Sequence, residues 1–186
     1  MDAPPRCAQK SHHFPRSILL EISLKDEGSR ELETSSVALK QDNPKKFKEN
    51  WPFFWVSQIN AAYANALERR IKPYGIDLPR WRAMMSLYED QYLSVSEIAE
   101  FSAQKLNTTT KVIQRMLNDG LVTTRVRPSD GRVTEVCLTN KGEKLRKVAF
   151  DESQIVFQNA FAEFTQKDLA ALNGTLAKLH ARLKKL

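Results

Sequence analysis

GLVTTRVRPSDGRVTEVCLTNKG, residues Gly120–Gly142, decides the fold. Leu121–Val126 and Val133–Thr139 are β-branched runs, and Pro128-Ser129-Asp130-Gly131-Arg132 between them supplies turn residues, so the segment reads as a hairpin with a basic tip. Just upstream, Gln104–Asp119 sets polar side chains ahead of a helical apolar pattern that Gly120 ends. A helix followed at once by a basic hairpin is a winged helix, which makes the fold class mainly α with a small β-hairpin wing. Duplex DNA suits such a unit. The helix fits the major groove, while cations neutralise phosphates or probe the minor groove.

Charge and composition point the same way. The 186 residues are enough for one core with appendages, and the net charge is +7. Between Gln104 and Arg132 stand Lys105, Lys111, Arg115, Arg125, Arg127 and Arg132 against only Asp119 and Asp130, a local net charge of +4. Such a block is either a solvated face or a phosphate footprint, and its spread over both helix and hairpin favours the footprint. The two cysteines, Cys7 and Cys137, provide neither a disulfide framework nor a four-ligand zinc site, as suits a reducing cytoplasm. No apolar run approaches the ~20 residues of a membrane span, and Ile18–Leu24 is too short and charge-interrupted for a secretory signal. A soluble cytoplasmic protein without membrane contact is expected.

Residues 1–50 mix charges of both signs with Pro4-Pro5, Gly28-Ser29 and Pro44, and read as an extension, mobile or docked on a partner. His12 and His13 lack a nearby third ligand, so a solvated pair is expected rather than a metal site. From Trp51 the helices become legible. Val56, Ile59, Tyr63, Ala66, Leu67 and Ile71 recur at helical spacing until Pro73 and Gly75. A second helix starts near Pro79 with Leu78, Trp81, Met85 and Tyr88 on one face, and Ser94-x-x-Glu97 is a capping box for a short third. In the fourth, Asn107, Thr108, Thr109 and Thr110 fill the first turn, and Val112, Ile113, Met116 and Leu117 form the apolar face. The threonines can cap the helix, read bases, or divide the two tasks. Thr139 caps a helix running from about Asn140 into the Ala160s, with Leu145, Val148, Ala149, Ile155 and Val156 inward. Thr165-x-x-Asp168 opens a last helix with a stripe of Leu169, Leu172, Leu176, Leu179, Leu183 and Leu186.

Several pieces in this order resemble the MarR family of winged helix-turn-helix regulators: Leu78-Pro79-Arg80-Trp81, Ser94–Ala99, Gly120-Leu121-Val122, Asp130-x-Arg132 and Leu138-Thr139-x-Lys141-Gly142. The resemblance runs from about Trp51 to Leu186. It implies a DNA-binding domain over residues 76–139 and a helical dimerisation region from 51–75 and 140–186. It also implies a homodimer on a double-stranded operator, two-fold symmetry spacing the recognition helices for successive major grooves. By resemblance Asn107, Thr108, Thr109 and Gln114 read bases, and Lys105, Lys111 and Arg115 hold phosphates. Thr110 and Arg127 complete the expected contacts. Arg132 is expected in the minor groove, Asp130 orients a neighbouring cation, and Gly131, where a charged or bulky residue is often found, makes a mobile tip. The leucine stripe serves either ordinary core or a second subunit, and the chain-end Leu183 and Leu186 favour the subunit.

Relatives of this kind often bind phenolic or aromatic carboxylate effectors between the first two helices and the DNA-binding lobe. Trp81 and Met85, with Ser57, Ala61 and Ala64 opposite, would then accommodate a flat ring, and Arg82 would pair a carboxylate. The same side chains also make sense as plain core. Redox sensing is the alternative input, although Cys137 in a strand reads as a buried inert thiol. Enzyme signatures are missing: there is no Walker loop, Gly-x-Ser-x-Gly elbow or dinucleotide fingerprint, and no cofactor is implied. The expected function is a ligand-responsive transcriptional repressor, and its rival is an architectural DNA-binding protein without an effector.

Overall fold

The computed structural model describes residues 47–89 and 91–186. The expectations for Cys7, for His12 and His13, and for the apolar run Ile18–Leu24 lie outside those residues. A short α1 (Phe47–Asn50) precedes α2 (Pro52–Ile71), and a 3-10 turn, Lys72–Tyr74, leads towards α3 (Leu78–Glu89). Then follow β1 (Leu93–Ser94), α4 (Val95–Phe101), α5 (Leu106–Asn118), β2 (Val122–Arg127), β3 (Asp130–Leu138), α6 (Asn140–Ala160) and α7 (Gln166–Leu183). The strands form one antiparallel sheet in the order β1-β3-β2.

Local chemistry sets these boundaries. Gly75 and Gly120 take left-handed backbone where α2's trailing turn and α5 end, a conformation that costs other residues more. Ser94 and Glu97 close a reciprocal capping box at α4, and Thr165 and Asp168 close another at α7. The Thr139 hydroxyl accepts from Gly142 N–H and donates to the carbonyls of Gly120 and Leu121, so one side chain joins α6 to the end of α5. Gly142 is required by contact, since a Cβ there would lie 1.9 Å from Leu121 O.

Two apolar clusters hold the fold. Met84, Leu87, Ile98, Val112, Met116, Leu121 and Val136 join α3, α4, α5 and the sheet into one lobe. Leu67, Ile71, Ile76, Trp81 and Ala149 pack α2, α3 and α6 together. Trp81 is therefore core as well as cleft wall.

Only the second half of α2 is covered by its own chain. Val56, Ile59, Tyr63 and Tyr88 are exposed, as is Ile155, which was expected inward. Tyr88 stacks beneath the Arg146 guanidinium at 4.0 Å and lies 6.3 Å from the Phe150 ring. No residue of α7 is buried. Among the described residues no helix is long and apolar enough to cross a membrane.

The wing also differs from its sequence reading. Pairing continues to Arg127 and Asp130, with a bulge between Val126 and Arg127, leaving only Pro128 and Ser129 as the turn. Gly131 lies within β3 and has no positive φ, so it is strand and not the mobile tip expected. Cys137 is buried in β3.

Candidate nucleic-acid interface and its neighbouring cleft

Helix α5 divides cleanly into two faces. Val112, Ile113 and Met116 are buried, while Asn107, Thr108, Thr110, Lys111, Gln114 and Arg115 are exposed. Thr108, Lys111, Gln114 and Arg115 line a shallow groove completed by Pro79 of α3. No acidic residue occupies α5's first turn, so the positive dipole end of the helix is not offset there. Lys105 occupies the N-cap position without a side-chain cap, and its ammonium is exposed.

The threonine cluster splits. Thr109 is fully buried and its hydroxyl donates to Lys105 O, so it is removed from the base-reading set: it is packing, not contact. Thr110 donates to Leu106 O but remains exposed, and Thr108 faces the groove. Neither supplies the side-chain cap that was the other reading.

Carboxylates organise the wing's arginines. Glu135, buried in β3, accepts from Arg125 Nε at 2.8 Å and Arg127 Nε at 2.7 Å, and Arg127 also reaches Glu97 of α4 at 2.6 Å. The Arg125 guanidinium lies over the Tyr92 ring. Hydrogen bonds from Arg127 and then Arg125 hold Glu135 below its usual pKa, whereas Glu97 is lowered first by Ser94 and then by Arg127. Arg127, expected on DNA, is thus a strut joining wing to α4, because a buried carboxylate demands cations. Arg132 is different. It is 92% exposed, and Asp130 Oδ1 accepts from both its backbone N–H and its Nε, so Asp130 does orient a cation at the tip.

A second ionic arrangement joins α3 to α5. Asp77 caps α3 by accepting Arg80 N–H with Oδ1, and its Oδ2 takes Arg115 at 3.2 Å. Arg80 reaches back to Asp119, just past α5, at 2.6 Å. Sequence reasoning missed Asp77, Arg80, Glu97 and Glu135. The capping role of Glu97 was legible, but pairs separated by 8 to 39 positions leave no local signal.

The expected cleft exists, with a partly different lining. A cavity of about 870 Å³ opens between α2, α3, the end of α4 and α6. Trp81, Arg82 and Met85 line it as expected, but Ser57, Ala61 and Ala64 do not. Asn60 and Tyr63 take their place from α2, and Ser57 instead donates to Phe53 O within its own helix. Phe150, Ser153, Gln154 and Phe157 supply the α6 wall. Their spacing is helical and was available in the sequence, although that stretch was read only for its inward aliphatic residues. Arg82 is the one charged side chain among the described lining residues, and it donates to Asn60 Oδ1 at 3.5 Å.

Comparison with known proteins agrees with this geometry. The family model described as MarR family matches residues 76–134, the span from Ile76 into β3. The HTH-type transcriptional repressor IacR of Pseudomonas putida is 36% identical over 139 residues, covering 75% of this chain and 83% of that protein. Among solved structures, a mutant of MarR from Escherichia coli complexed with operator DNA superimposes with a TM-score of 0.62 at 21% identity, covering 72% of this chain and 96% of the other. BpsR of Bordetella bronchiseptica, whose DNA binding is regulated by 6-hydroxynicotinic acid, has a TM-score of 0.60 at 17% identity, covering 68% and 96%. At those identities the two structures establish the shared fold.

Proposed function

Because this chain belongs to the MarR family of transcriptional regulators, and is no enzyme, we propose that it is a cytoplasmic, homodimeric repressor released from its operator by a small aromatic carboxylate or phenol. The observation that carries the ligand reading is the cleft: one cation, Arg82, amid aromatic walls and neutral polar groups, with no carboxylate among the described lining residues. A flat anion fits that balance. Repression is the activity named for the Pseudomonas putida relative, and regulation by a hydroxylated aromatic acid is named for BpsR.

DNA contact is assigned to the exposed face of α5 and to the wing tip. Asn107, Thr108, Thr110 and Gln114 face bases, Lys105 and Lys111 face phosphates with Arg115 beside them on the same face, and Arg132 enters the minor groove. The dimer reading rests on uncovered apolar surface. Leu172, Leu176 and Leu183 are 39–44% exposed, and Phe53, Trp55 and Ile59 of α2 are exposed too. A second copy covers both stripes and spaces two recognition helices.

Release follows from shared elements. α3 lines the cleft with Trp81, Arg82 and Met85, and its first turn is tied to α5 through Asp77–Arg115 and Arg80–Asp119. A ligand that binds better to another setting of α3 therefore biases the position of α5. Benzoates, hydroxynicotinates and neutral phenols are titrated against the protein on DNA selected from a random duplex pool. Release by an acid that Arg82→Gln weakens about tenfold, with DNA affinity retained, supports the reading. A protein indifferent to the whole panel, or one for which Arg82→Gln leaves release untouched, refutes it.

A further inference from the structure

We propose that Asp77 is a specificity-determining residue: it aims Arg115 at DNA, so that Arg115 contributes discrimination where the lysines contribute only attraction. The proposal rests on α5 being the DNA face. Arg115 shares the shallow groove with Thr108, Lys111 and Gln114, and its side chain is 51% exposed. One terminal nitrogen is held by Asp77 Oδ2 at 3.2 Å, which fixes the direction of an otherwise flexible side chain and leaves the rest of the planar fork to face outward.

Asp77 is itself immobilised. Its other oxygen accepts Arg80 N–H at 2.9 Å as the cap of α3. Arg80, only 17% exposed, is in turn paired with Asp119, four residues beyond Arg115 and hence on the same side of the helix end. The four groups form crossed pairs: Asp77 to Arg115, and Arg80 to Asp119. The limb through the largely covered Arg80 anchors the structure, and the other carries a cation on the groove.

The wing repeats the construction, with Asp130 holding the backbone and side chain of the exposed Arg132. Among the described residues Lys105 and Lys111 have no carboxylate partner. An ammonium free to move follows phosphates on any sequence. A guanidinium held in one plane fits one arrangement of acceptors better than others. An exposed pair of this kind adds little to folding stability, so the effect of removing it falls on binding.

The test uses the full chain, the tightest duplex it selects from a random pool, and a random-sequence duplex. Asp77→Asn and Asp77→Ser both keep an oxygen to cap α3 and remove the carboxylate from Arg115. Affinity for the selected duplex should fall on the order of tenfold, with binding to random duplex held within about twofold. The loss should disappear when Asp77→Asn is made in an Arg115→Ala background. Equal losses on both duplexes, no loss, or additivity with Arg115→Ala overturns the inference. Lys111→Ala serves as the reference and should weaken both duplexes and reduce the salt slope by about 0.9. If Lys111→Ala changes neither, α5 is not the DNA face and both readings fail. If it acts while Asp77→Asn does not, this inference alone fails.

Discussion

Gly142→Ala should cost this protein about 2–4 kcal/mol of stability. The added methyl carbon would lie 1.9 Å from Leu121 O, 2.9 Å from the carbonyl carbon and 3.1 Å from Leu138 Cδ2. Reaching even the 3.0 Å that marks the lower edge of real contacts needs about 1 Å of separation between α6 and the α5–β2 junction. That carbonyl accepts from Thr139 N at 3.0 Å and Thr139 Oγ1 at 3.2 Å, so moving it also disturbs the α6 cap. Two weakened hydrogen bonds cost about 2 kcal/mol and the overpacking about 1–3 kcal/mol, while alanine's better helix propensity returns about 1 kcal/mol. For a chain of this size the melting midpoint should drop by about 5–15 °C in calorimetry. Gly131→Ala is the internal comparison, because nothing lies within 4 Å of a Cβ there and its φ is not positive. It should leave the midpoint unchanged or raise it slightly. A Gly142→Ala protein as stable as the parent would refute the claim that α6 rests on the Leu121 carbonyl.

Leu176→Asp should shift the protein from dimer to monomer in light scattering and weaken DNA binding without touching an expected DNA contact; an unmutated protein that is already monomeric defeats the dimer reading. The wing should also loosen in acid. Folding depresses the Glu135 and Glu97 carboxylates below their ordinary value of 4.5, so their stabilisation is fully present above pH 4.5 and disappears as pH falls through the lower folded values. Denaturant unfolding should therefore show Glu135→Gln less stable than the parent at pH 7 and the difference shrinking below pH 4.5, whereas a constant difference down to about pH 2.5 contradicts the linkage.

Most of the fold was legible because its signals are local. Ser94-x-x-Glu97 and Thr165-x-x-Asp168 mark helix starts by two reciprocal hydrogen bonds within four residues. Gly75 and Gly120 mark ends by backbone freedom, and Val122–Arg127 with Asp130–Leu138 announce strands by β-branching. What failed was the inference from apolar periodicity to burial. Ile155 has the spacing of α6's inward face, yet it is exposed, because burial depends on what lies opposite a stripe and not on its period.

The site was legible by residue type and misread by orientation. Arg127 and Arg132 are both wing arginines five positions apart, and charge alone cannot separate them. Buried Glu135 claims the first, while the hairpin turn leaves the second to solvent. Thr108, Thr109 and Thr110 are identical in sequence terms, but consecutive helical positions differ by about 100°, so one of three must face the core when its neighbours do not. That same angle explains the cleft. Choosing Ala61 and Ala64 over Asn60 and Tyr63 is an error of one position on α2, enough to turn the chosen face away from the gap. Small residues had suggested room for a ring, whereas the α2 residues that face the cavity, Asn60 and Tyr63, are larger and more polar. An effector bound there as proposed would meet an amide and a phenol beside Arg82, which favours ligands carrying a hydrogen-bonding substituent as well as an acid over a bare hydrocarbon ring.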